Sequence, residues 1–448
     1  MGRFLFFKDK GLILWWLLFL SYIAASPIAP QDAFDTPSGL YLVFNYLSYF
    51  FFFLILLDIL VKFKYLKRKW DNYSRRLNIL LWLLFVVIFC FVTEFVMNDG
   101  PDYRRIFLDF LPFLGCAIAL LGVEKKDVFQ SYLDTFASQV FIAAILGLYL
   151  LNTSPVINRS DYFTSYYMVS SLLLPVVLLL PSLAYLNSIR KIFVIFAYAV
   201  LCILNIYYQL RTDTFLLFVF VPFLTLFAFW KQRYLLSPKR RLKGLAIGFL
   251  IVVITFPIIY SYLNRDSSLE IASEKTLQRF SGSPVESATY SDVIGTVRNE
   301  IDFIRGKEAA EFINNSTLSD WILGRGFGGK WDSNTYGINW HMVHFGPLHL
   351  ILKGGLLLLV SFLLVYFIAM FLAWKNFKRY HYASGCFIYL CVRFVQFLSH
   401  GPLLHMYDTY IMWLIIGVCF SMEYKCRFIR YISLSKQDTR KARRSIIS

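Results

Sequence analysis

The sequence predicts an all-α polytopic membrane protein, and three observations carry that expectation. Hydrophobic residues make up 58% of the 448 and aromatic residues 19%, with a mean hydropathy of +0.57. Apolar runs of bilayer-spanning length recur along the chain. Lys and Arg collect in alternate connecting segments. A lipid core offers backbone groups no water to bond, so the spans must be helices.

About twelve spans are expected, at 11–29, 40–61, 77–97, 106–123, 128–151, 166–186, 193–209, 214–230, 244–263, 346–373, 383–403 and 409–424. The first could be read as a signal peptide ending at Ala24-Ala25-Ser26; Pro27 directly after argues against cleavage, so it is kept as a span. With the N-terminus in the cytoplasm, 31 of the 45 Lys and Arg lie in cytoplasmic segments: the N-terminus, 62–76, 124–127, 187–192, 231–243, 374–382 and 425–448. The reverse orientation would put all of them outside, against the positive-inside bias. Both termini are therefore expected inside. The chain divides into spans one to nine (1–263), a large outer loop (264–345), spans ten to twelve (346–424) and a basic tail (425–448).

The net charge of +17 does not point to nucleic acid. The basic residues sit in short inner loops and a tail, where positive charge sets orientation and meets anionic membrane lipid. Six of the seven cysteines fall in apolar spans and Cys426 in the tail, so there is no disulfide framework and no CxxC metal signature.

The segment 264–345 is too long for a structureless connection, and part of it is expected to fold over the membrane face. Within Asp292–Asn314, Ile294, Val297, Ile301 and Ile304 recur at helical spacing, with Arg298, Asp302 and Arg305 on a neighbouring stripe. That stripe reads either as a salt-bridged, solvated face or as an anion-binding one.

Several charges lie where they need a reason. Arg211, in the short outer loop Leu210-Arg211-Thr212-Asp213-Thr214, and Arg104 and Arg105, at the outer start of span four, sit close to the membrane surface. Each either snorkels to headgroups or binds an anionic group carried by a lipid. Lys353 and Arg393 fall inside spans, where a charge costs at least about 3 kcal/mol. They are candidates for substrate contact, with a structural partner as the alternative. Gly354-Gly355, beside Lys353, would loosen the helix and admit another backbone.

Three of the six histidines, His341, His344 and His349, fall within nine residues where the outer loop re-enters the bilayer. Guanidinium forks match phosphate oxygens, and imidazole moves a proton near neutral pH. An outer cavity holding several Arg and one His suits glycosyl transfer from a lipid diphosphate, with Arg neutralising the leaving group and His serving the incoming hydroxyl. A zinc site at His341 and His344 lacks the rest of a ligand set, and no nucleophile elbow supports a hydrolase.

The run Leu323-Gly324-Arg325-Gly326-Phe327-Gly328-Gly329, followed by His344 and, eleven residues on, Gly355, resembles the C-terminal signature of the O-antigen polymerase and O-antigen ligase superfamily. His344, Leu348, Leu352 and Gly355 match its spacing, and Arg211 resembles its Ser-Arg element. Phe345, Lys353 and Leu210 depart from it, standing where Asn, an acidic residue and Ser are usual. The resemblance implies a GT-C-like, metal-independent, inverting glycosyltransferase of the bacterial inner membrane, with no cofactor. Its substrate would be an undecaprenyl-diphosphate-linked oligosaccharide presented at the periplasmic face, and its partners a chain-length regulator and a flippase. The polymerase reading is preferred; a ligase using lipid A–core and a transporter or flippase of the lipid-linked glycan are the alternatives. Carried over, His344 is the acceptor-side base or orienter. Arg211 and Arg325 contact diphosphate or glycan, with Arg298, Arg279, Arg305, Arg104, Arg105, His341, Lys353 and Arg393 as further substrate contacts; His341 and His349 are more readily bystanders.

Overall fold

Apolar runs that must satisfy their own backbone fold as helices, and the computed structural model is built almost wholly from them. It describes residues 10–29, 38–70, 77–97, 103–125, 129–153, 163–207, 216–231, 308–333, 338–340, 343, 345–400 and 406–422. Six helices are long and apolar enough to cross a membrane, with candidate spans at Gly11–Ile28, Gly39–Lys62, Asn78–Phe95, Phe129–Thr153, Ser188–Asn205 and Gly346–Lys375. Shorter apolar helical stretches cover Ile106–Gly122, Met168–Leu183, Leu216–Lys231, Ala383–Leu398 and Met406–Met422. Each of these coincides with an expected span; the expected span 244–263 lies outside the described residues.

The short stretches are broken for chemical reasons. Helix α4 (Tyr103–Leu114) contains Pro112 and passes through a 3-10 turn at Gly115–Ala117 into α5 (Ile118–Lys125). The indole of Trp413 donates to the Pro112 carbonyl at 3.1 Å, satisfying a group the disrupted ladder exposes. Helix α7 (Phe163–Leu173) ends before Pro175 and resumes as α8 (Val176–Leu179), and Pro181 converts the next turn to 3-10. A π-turn at Leu216–Phe220 leads into α10 (Val221–Lys231), and the Tyr198 hydroxyl donates to the Leu217 carbonyl there.

In lipid the hydrophobic effect does not drive helices together, so close packing and interhelical hydrogen bonds must. Aromatic residues supply the packing. Trp15 on α1 (Lys10–Ala25) lies between Phe136 and Tyr132 of α6 (Phe129–Thr153) and Tyr410 of α15 (Met406–Met422), at centroid distances of 4.6, 5.4 and 5.8 Å. Gly417 and Gly122 supply close approach: a methyl group on either would lie within 2.3 Å of a backbone oxygen across the α5–α15 contact.

Helix α13 (Gly346–Lys375) positions the site. It packs against α3 (Leu77–Met97), α14 (Ala383–His400) and α12 (Leu318–Leu323). Ahead of it, residues 308–314 form helix α11. Two three-residue strands, β1 (Trp331–Ser333) and β2 (Ile338–Trp340), pair antiparallel with Trp331 opposite Trp340. Among the described residues of 264–345, two short helices thus stand beside a two-stranded β-ribbon.

Candidate functional site

The end of the loop folds as a unit because its polar residues bond one another. Thr317 caps α12: its hydroxyl accepts from the Asp320 N–H at 3.3 Å, and Asp320 Oδ2 accepts from the Thr317 N–H at 2.9 Å. Helix α12 stops at Gly324, whose φ of +76° suits glycine. Arg325 then turns its fork inward. Nη2 donates to Asp320 Oδ2 and to the Asn315 carbonyl, and Nη1 to the Lys330 carbonyl, each at 3.0 Å. Burial works to raise the Asp320 carboxyl, but the Thr317 N–H and the Arg325 guanidinium outweigh it and hold it below the usual carboxylate range.

This unit docks on a break in α13. Gly354 and Gly355 leave helical geometry, Gly355 with φ +63°. A methyl group on Gly355 would lie 2.1 Å from the Ile322 carbonyl oxygen, and one on Gly324 would lie 2.5 Å from the Gly354 nitrogen. The backbones of the Gly-rich stretch and the helix break are therefore in direct contact, the approach expected of Gly354-Gly355. The Arg325 N–H donates to the Leu352 carbonyl at 2.7 Å, so a group beside the break is bonded by the loop. A small second core, Phe312, Trp331, Val343, Leu348, Ile351 and Leu352, seals the loop to the first turns of α13.

Lys353 sits at the centre, fully buried. Its ammonium donates to Asp109 Oδ2 at 2.6 Å and to the carbonyls of Phe327 and Gly329 at 2.8 and 3.2 Å. Three donors thus meet three acceptors. Helix α4 supplies Asp109 and also Phe110 and Phe113, whose rings hold Phe327 at 5.4 and 5.3 Å. From α3, the buried Glu94 carboxylate lies against the loop: a methyl group on Gly326 would fall 1.6 Å from Oε2, and one on Gly328 would fall 2.7 Å from Oε1. The Gly-rich stretch is closed over Glu94 and Lys353, with its glycines set by contact with α3 and α13.

The sequence-derived candidates divide accordingly. Lys353, a candidate for substrate contact with a structural partner as the alternative, has such a partner: its ammonium binds the loop to α4. Arg393 was a second such expectation. Its Nη2 pairs with Asp408 Oδ2 at 2.6 Å and its Nη1 donates to Gln396 Oε1 at 2.8 Å, while Tyr389 donates to Asp408 Oδ1 at 3.1 Å. Both are intramembrane cations neutralised by intramembrane acids, the arrangement that lowers their cost most. Arg325 is at the site, with its fork engaged inside the loop. His349 is buried, and its Nδ1 accepts from the Val343 N–H at 3.3 Å. It therefore holds the backbone one residue before His344. Arg104 and Arg105 lie in the first turn of α4, which also carries Asp109. Residues Arg211, His344, His341, Arg279, Arg298 and Arg305 lie outside the described residues.

Sequence reasoning missed Glu94, Asp109 and Asp408. A signal was available: each is a carboxylate within or at the end of an apolar span, and an intramembrane Lys or Arg calls for such a partner.

Comparison with protein-family models and with curated proteins yields no match for this chain.

Proposed function

We propose that this protein is a polysaccharide polymerase of O-antigen type. It would transfer a growing glycan from undecaprenyl diphosphate to a sugar hydroxyl on the next lipid-linked repeat unit, at the periplasmic face of the bacterial inner membrane. One observation supports the reading above the rest. The two sequence features that carry the resemblance, the stretch Leu323–Gly329 and the stretch ending at Gly355, form one packed unit, with glycine facing glycine across a helix break. His344 lies in the chain between Val343, clamped by His349, and Phe345, which precedes α13. In this reading His344 deprotonates or orients the acceptor hydroxyl. Arg211, with Arg104 and Arg105 on the helix that anchors the loop, meets the diphosphate as it departs. Arg298, Arg279 and Arg305 would be further substrate contacts. Lys353, Asp109 and Arg325 shape the loop rather than touch substrate. No metal or cofactor takes part.

Three reconstitutions separate the alternatives. Lipid-linked repeat units alone, supplied to purified protein in vesicles, should give a ladder of longer lipid-linked glycans. Growth only when lipid A–core is added would make the protein a ligase. Movement of intact substrate across the vesicle membrane without bond cleavage would make it a transporter.

A further inference from the structure

Helix α12 presents an apolar face that neither α13 nor the proposed chemistry uses. Leu318 and Ile322 stand one turn apart on it, 77% and 50% exposed. Asp320 is two residues from each, on the other face, where it meets Arg325 and the Thr317 N–H. An exposed leucine alone needs no explanation. The depth at which these two are exposed supplies one, and α13 measures it. Beyond its break, Leu356, Val360, Leu364, Phe367 and Phe371 are exposed at helical spacing, and the stripe ends at Trp374 beside the exposed Lys375. An indole and an ammonium at a helix end mark a membrane–water boundary. A hydrocarbon core about 30 Å thick takes about 20 residues of helix. Counting that distance back from Trp374 reaches Gly354, and any tilt of the helix puts Gly354 deeper.

Helix α12 meets α13 at this level and further in. The Ile322 carbonyl lies against Gly355, and Trp321 packs on the second core together with Leu359, one turn past the break. Helix α3 gives the same level independently. It runs antiparallel to α13, with the Trp82 indole donating to Ser361 Oγ at 3.0 Å and Cys90 Sγ 3.9 Å from the Gly354 carbonyl. Val92 and Phe95 lie beyond Cys90, toward the loop, and are still exposed. The lipid-facing surface of α3 therefore continues about 7 Å past the break. We propose that α12 is an interfacial helix whose Leu318 and Ile322 enter the acyl-chain region of the leaflet on the Gly-rich loop's side. The bilayer then supports the loop from the side that α3, α4 and α13 leave open. The partner is hydrocarbon and not headgroup charge, because Phe312–Leu323 contains no cation.

The test places full-length protein in phosphatidylcholine nanodiscs with a bimane label at Leu318→Cys, Ile322→Cys, Val360→Cys or Asp332→Cys. Labelled wild type supplies the background from the native cysteines. Val360 reports the lipid-facing stripe, and Asp332 an exposed polar position on β1. Phosphatidylcholine brominated on its acyl chains should remove most of the emission from the labels at 318, 322 and 360 and little from that at 332. Iodide in the buffer should do the reverse. Labels at 318 and 322 that iodide quenches as strongly as the label at 332 overturn the proposal. So do labels there that neither quencher reaches, because protein would then cover the face. Both positions are exposed and are labelled separately, so a disturbance of the loop by one substitution leaves the other to decide.

Discussion

Replacing Lys353 with Met removes the charge at the centre of the loop–helix junction while keeping most of the side-chain volume. Asp109 would be left without the cation 2.6 Å away, and the Phe327 and Gly329 carbonyls would lose donors at 2.8 and 3.2 Å. Removing one partner of a buried pair typically costs about 3–5 kcal/mol, because the other charge stays behind uncompensated. Asp109 keeps some exposure, its side chain being 13% accessible, which favours the lower end of that range. Lys353→Met with Asp109→Leu removes both charges and should recover more than half of the loss, since the paired ions repay little more than their own desolvation. Thermal unfolding in detergent, followed by intrinsic fluorescence, reads the global effect, and limited proteolysis of the segment 308–343 reads the local one. The single variant should unfold at a clearly lower temperature and be cut faster; the double variant should approach wild type in both. Losses that simply add, or a single variant indistinguishable from wild type, would refute the claim that this pair anchors the loop.

Gly326→Ala should open the loop, because its methyl group meets the Glu94 carboxylate at a φ of +84°; Gly326→Ala with Glu94→Ala should relieve the collision but not the backbone strain, giving partial recovery of protease resistance. Asp320 titrates below the usual carboxylate range in the folded protein, so its pairing contributes stability that is present above about pH 4 and lost as pH falls through its folded value. Proteolysis of the loop should accelerate below about pH 4 in wild type and show a flatter pH response in Asp320→Asn. The Nε2–H of His381, between α13 and α14, donates to Gln130 Oε1 at 2.6 Å, and burial pushes its imidazole below the ordinary histidine value. The unfolded chain takes up the second imidazole proton more readily, so stability should decline as pH falls through about 6.5; His381→Gln should remove that part of the decline in a pH series of unfolding temperatures.

The helical class and the positions of the apolar segments were legible from hydropathy, because bilayer length and backbone satisfaction leave few alternatives. The interruptions were legible in principle from Pro112, Pro175 and Pro181, but an apolar window averages over a proline and reports one uninterrupted span. The approach of a second backbone at Gly354-Gly355 followed from residue type alone. Which backbone it would be did not follow, since nothing in local sequence says that Gly324, thirty residues earlier, is its partner. The cations Lys353 and Arg393 stood out as costly, as candidates for substrate contact or for a structural partner, but the partner could not be named. Their true counter-charges, Asp109 and Asp408, lie 244 residues before and 15 residues after them in the chain. Pairing across a bundle depends on helix arrangement, and a single sequence does not encode that in any local pattern. Arg325 shows the same limit: the resemblance implied a diphosphate or glycan contact, and nothing in local sequence announced that the carbonyls of Asn315 and Lys330 and the Asp320 carboxylate engage its fork.

The most direct measurement of the account is glycan extension by purified protein in vesicles, run with lipid-linked repeat units as the only substrate and with chelator present. Wild type should build a ladder, and His344→Ala should slow it by about 100-fold or more, the contribution of a positioned proton-transfer group, while retaining lipid-linked substrate. A His344→Ala variant that extends chains at the wild-type rate, or a wild-type protein that extends none, would contradict it.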